Sequence, residues 1–123
     1  MYTCSLHIYF AGHPCHAFDV IKKMPALEHF THIFSESDEA EASLSAKADV
    51  IIADLSRMNM PSALQILLQN RREDAQVIFL ADKKQMQSLC AEPALKDIND
   101  VWIMPMSDEE LRFRFLRWQE TCK

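Results

Sequence analysis

The chain has 123 residues, 49% apolar and 25% charged, with a formal net charge of −5 and a pI near 5.5. This length suits one domain with a sizeable core, and the acidic balance argues against a nucleic-acid surface, which needs clustered positive charge. No stretch reaches the roughly 20 apolar residues of a membrane span, and the first residues do not read as a signal peptide, so a soluble, cytoplasmic protein is expected. Cys4, Cys15, Cys90 and Cys122 show no C-x-x-C spacing and read as reduced structural thiols. Gly12 is the only glycine, which disfavours tight primed hairpins and glycine-rich phosphate loops.

In chain order, short apolar runs alternate with amphipathic ones. Leu6–Phe10 reads as a strand, and Phe18, Ile21 and Met24 then recur at helical spacing until Pro25 stops them. His29–Phe34 is a weaker second strand. Ser37 reads as the N-cap of a short helix, with Asp38 and Glu39 in its first turn and Ala40 and Leu44 inward. In "ADVIIADLSRM", Val50–Ala53 is a strand buried on both faces that ends on Asp54. Pro61 opens a helix carrying Leu64, Leu67 and Leu68. Gln76–Leu80 is a fourth strand, Lys83–Ala91 a helix with Met86, Leu89 and Cys90 inward, and Val101–Met104 a fifth strand. Ser107-Asp108-Glu109-Glu110 is a capping box that opens the last helix. Strand and helix thus alternate five times, which predicts an α/β fold: a doubly wound, five-stranded parallel sheet with five helices in a single domain spanning 1–123.

"ADVIIADL" and "VWIMPMSDEEL", together with the element order and length, resemble the receiver domain of bacterial two-component response regulators over nearly the whole chain. The resemblance implies flavodoxin-like topology and makes Asp54 the equivalent of the phosphoacceptor. It also implies four further groups: two metal-binding carboxylates after the first strand, a hydroxyl after the fourth, and a lysine before the proline after the fifth. The matching residues are Ala11 and Gly12 (Phe10 and Ala11 after a one-residue slip), Ala81, and Met104 before Pro105. None supplies the oxygen ligands magnesium needs or the cation that a transferring phosphoryl needs. Asp82, beside Ala81, would repel a phosphorylated Asp54.

The expectation is therefore a degenerate receiver, a non-enzymatic signalling module that phosphate does not switch and that needs no cofactor. Magnesium would enter only if Asp54 were phosphorylated, which is the second reading. A third is a small-molecule or transition-metal site at the carboxyl edge of the sheet, with His13 and Cys15 of "GHPCH" as candidate ligands and Cys15 as a thiol activated by a helix N-terminus. His16 is assigned to the helix surface, and His7, His29 and His32 to strands.

On the last helix, Leu111, Phe115 and Trp118 form the inward stripe. Phe113 and Leu116, among Arg112, Arg114 and Arg117, fall opposite and suit a protein interface. Receivers commonly dimerise through this region, so a homodimer is expected, controlling a fused or separate output domain such as a histidine kinase, a diguanylate cyclase or a DNA-binding domain. The chain would then be the N-terminal regulatory part of a longer signalling protein, binding neither membrane nor nucleic acid itself. Met58 and Met60, in the loop after Asp54, are further exposed apolar candidates.

Overall fold

A computed structural model describes residues 4–26 and 30–121. The apolar runs become strands β1 (Cys4–Ala11), β2 (Phe30–Ser37), β3 (Val50–Asp54), β4 (Gln76–Ala81) and β5 (Asp100–Ile103). They form one parallel sheet in the order β2-β1-β3-β4-β5. The helices are α1 (His16–Lys22), α2 (Ala42–Ser45), α3 (Met60–Asn70), α4 (Lys83–Cys90) and α5 (Asp108–Thr121), with 3₁₀ turns at Leu55–Arg57 and Pro93–Asp97. The chain is thus a doubly wound α/β domain of flavodoxin-like topology, as the alternation of patterns predicts.

Strand alternation sorts the core into two layers. Leu6, Ile8, Phe10, Val50, Ile52, Ile78, Leu80 and Trp102 meet α1 and α5 through Phe18, Ile21, Leu111 and Phe115. Tyr9, Ala11, Ile51, Ala53, Val77, Phe79 and Ala81 meet α3 and α4 through Leu64, Leu67 and Leu89. β3 is buried on both faces because helices cover both, so its sequence is a continuous apolar run rather than an alternation.

Local chemistry sets the helix starts. Asn59 accepts the Ser62 N–H at 3.2 Å with Pro61 in the first turn of α3, and Ser107 Oγ accepts the Glu110 N–H at 3.2 Å before α5. At α4, Asp82 accepts the Gln85 N–H at 2.8 Å while Gln85 Oε1 accepts the Asp82 N–H at 3.0 Å.

Ser37 is not a helix N-cap. β2 runs on through it because its ladder with β1 continues to the Ala11–Ser37 pair. Its hydroxyl hydrogen-bonds the Tyr9 hydroxyl and donates to the Glu39 carbonyl at 2.5 Å. The Tyr9 hydroxyl in turn accepts the Glu41 N–H at 3.0 Å, so a long-range tyrosine has taken the serine that local pattern assigns to a cap. The helix that follows is one turn, begins at Ala42, and has no side-chain cap. His29 lies outside the described residues. Cys90 is exposed at the end of α4 while Leu89 beside it is fully buried. Met58 and Met60 are partly buried and pack against the second layer.

Candidate functional site

Asp54 ends β3 on the face that carries Val50 and Ile52, opposite Leu80 in the ladder. It is half-buried, and its carboxylate accepts the Ser56 N–H at 3.0 Å, which opens the 3₁₀ turn. The four positions compared with receiver chemistry surround it unevenly. Ala11 is completely buried, pairs with Ala53, and packs in the opposite layer. Ala81 is buried in that same layer and pairs with Ile103. Gly12 follows β1 with φ +123° and donates its N–H to the Ser37 carbonyl at 2.9 Å. A Cβ there would stand 2.9 Å from the Asp54 carbonyl oxygen and 3.3 Å from Asp54 Cβ. This is a close approach that only glycine permits, in a backbone region L side chains avoid. A carboxylate at position 12 would thus displace the end of β3.

Met104 N–H donates to the Ala81 carbonyl at 2.8 Å, and its half-buried side chain packs against the α1/α5 layer. Together with Asp54, Cys15, Leu80, Met106 and Leu111 it lines a cavity of about 310 Å³ that opens at the carboxyl edge of the sheet. His16 stands at the rim, exposed, with Nε2 2.7 Å from Asp108 Oδ1, so it ties α1 to α5. Magnesium does not fit here. Octahedral coordination calls for several hard oxygens, and among the described residues the only carboxylate lining the cavity is that of Asp54.

Cys15 is the N-cap residue of α1 and lines the same cavity as Asp54. Burial pushes its pKa up, the Asp54 charge adds to this, and the backbone N–H groups of Phe18 and Ala17 oppose without prevailing. The expected activation by the helix end is therefore outweighed, and Cys15 is a protonated thiol near neutral pH. His13 lines a different cavity, of about 310 Å³, with Asp38, Glu39, Asn59 and Ser62. The two residues weighed as a joint transition-metal site thus face separate spaces. Among the described residues no group of three His, Cys, Asp or Glu side chains is placed to hold a metal ion.

On α5, Leu111, Phe115 and Trp118 are buried, whereas Phe113 is 60% and Leu116 40% exposed. Arg117 lies over the Phe113 ring at 5.9 Å, Arg114 pairs with Glu110 at 3.2 Å, and Arg112 approaches Asp108 at 4.0 Å. Ile103, on the edge strand β5, is 42% exposed, and sequence reasoning missed it because a short apolar strand reads as wholly buried. Leu80, Met106 and Leu111 were missed as cavity walls. Their convergence on Asp54 depends on the β3–β4 register and on the path after Pro105, which a linear pattern does not carry. Among the described residues, no helix is long and apolar enough to cross a membrane. No protein-family model matches the chain, and a search of curated proteins also finds no match.

Proposed function

We propose that the chain is a receiver-like regulatory module that phosphorylation does not switch and that acts through protein–protein contacts on a fused or separate output domain. The observation that carries this is the environment of Asp54. Ala11 and Ala81 are packed away in the opposite layer, Gly12 is pressed against the Asp54 backbone, and Met104, matched by sequence to the receivers' lysine, brings a thioether to the cavity beside Asp54. With no counter-charge for a developing phosphoryl transition state, the largest usual source of rate is missing. The exposed Phe113 and Leu116, rimmed by Arg112 and Arg117, are the contact surface in this reading, used for homodimerisation.

Intact-mass measurement after incubation with acetyl phosphate tests the first part. The expected mass is unmodified with and without magnesium, and a magnesium-dependent phosphoryl increment absent from Asp54→Asn refutes it.

A further inference from the structure

The cavity beside Asp54 has a chemistry of its own. Its walls are the hydrocarbon and thioether groups of Leu80, Leu111, Met104 and Met106. Its volume of about 310 Å³ sits at the small end of ligand pockets. Asp54 stands at its polar end, where its carboxylate accepts the neutral Ser56 N–H and the Cys15 thiol lines the wall beside it. A carboxylate has about four acceptor sites, so capacity is left over.

These features select among ligand classes. An anion meets the Asp54 charge, and among the described residues no lysine or arginine lines the cavity to balance it, while His16 at the rim is held against Asp108. A purely apolar molecule fills the walls but strips water from a carboxylate and gives nothing back, which is costly. A molecule with an apolar body and a cationic head satisfies both: the body displaces water from Leu80, Leu111 and the methionines, and the head donates charge-assisted hydrogen bonds to Asp54. The methionine side chains adapt to more than one body shape. We propose that this cavity binds a small hydrophobic ammonium compound, with Asp54 as the counter-ion and Met104 and Met106 as the adjustable walls. This rests on the reading above that Asp54 does not carry phosphate. The cavity lined by His13, Asp38 and Glu39 offers carboxylates too, but all three residues are exposed to solvent, so it serves as the control.

The test is a titration of the protein with benzylammonium, followed by calorimetry and by backbone amide chemical shifts, with benzyl alcohol and benzoate as neutral and anionic isosteres. Benzylammonium is expected to shift the amides of Cys15, Ser56 and Met104. Its affinity is expected to exceed that of benzyl alcohol by about tenfold or more, the gain of a charge-assisted pair, with benzoate not binding. Asp54→Asn removes that advantage, and Asp38→Asn with Glu39→Gln leaves it intact. Met104→Lys, which keeps the carboxylate and places a built-in ammonium beside it, abolishes binding independently. The proposal is overturned if benzylammonium fails to bind, if benzoate or benzyl alcohol binds as well, if Asp54→Asn or Met104→Lys binds like the parent, or if the Asp38 and Glu39 changes remove binding. A phosphoryl mass increment would refute the regulatory reading separately, without any ligand present.

Discussion

A methyl group added at Gly12 meets the Asp54 carbonyl oxygen at 2.9 Å, in a backbone conformation with φ +123°. Gly12→Ala is expected to destabilise the domain by about 1–3 kcal/mol, the scale of left-handed strain with a backbone contact, read as a lower urea midpoint. Gly12→Asp should cost at least as much and confer no magnesium binding, because the side chain that would ligate first has to push β3 aside. Comparison with receivers marks position 12 only as a residue that cannot ligate a metal. The close approach of Gly12 to the end of β3 was not legible, since it appears only when the two neighbouring strand ends are brought together. Cys15 was also half legible. Its place at the start of α1 can be read from the sequence, but its burial beside Asp54 cannot, and burial decides its chemistry. At mildly alkaline pH, iodoacetamide should therefore modify Cys15 more slowly than the exposed Cys90, as peptide mapping over time would reveal; equal rates would contradict the half-buried thiol.

Whole elements were mostly readable because each carries its own signal. The run Val50–Ala53 and the Asn59–Pro61 start needed no tertiary knowledge. Asp82 is instructive, because sequence comparison placed it as a charge facing Asp54, whereas its carboxylate is engaged in capping α4 with Gln85. The D-x-x-Q spacing was there to be read. Asp82→Ala should cost about 1 kcal/mol, a typical N-cap loss, measured by chemical denaturation, with Asp82→Asn costing much less. β2 and α2 failed for the opposite reason, since a real local signal at Ser37 lost to Tyr9. That tyrosine is 1% exposed, and its hydroxyl joins β1 to the turn before α2 through Ser37 and the Glu41 N–H. Tyr9→Phe should lose about 1 kcal/mol, because the part-buried bonds to Ser37 and the Glu41 N–H are lost, and should loosen residues 37–42 in proteolysis before the core.

For the molecule as a whole, the face formed by Phe113 and Leu116 is where association would act. Phe113→Glu combined with Leu116→Glu should lower the sedimentation coefficient of the parent protein without lowering its unfolding midpoint, since neither side chain is in the core. A parent that already sediments as a monomer would remove the α5 dimer from the functional reading.

Alkaline pH tests the fold more globally. The Cys15 thiol and the Tyr9 hydroxyl both have folded-state pKa values raised above their ordinary 9.0 and 10.0, chiefly by burial. The folded chain therefore holds these protons more tightly than the unfolded one. Their contribution is complete below 9.0 and is lost as pH climbs past 10.0 towards the folded-state values. Urea midpoints should accordingly fall across that range, and Cys15→Ser with Tyr9→Phe should flatten the fall.

The strand order has a consequence for how the chain reaches this state. β1 lies inside the sheet between β2 and β3, with Cys4 opposite Phe30 and Ile8 opposite Val50, so both of its partners lie much further along the chain. Parallel pairings of that reach are slow to close, typically on the millisecond-to-second scale rather than microseconds. During synthesis β1 emerges well before β3, leaving the greasy Ile8-Tyr9-Phe10 run half-sheltered while the ribosome completes its second flank. That interval is when a chaperone would have most to hold.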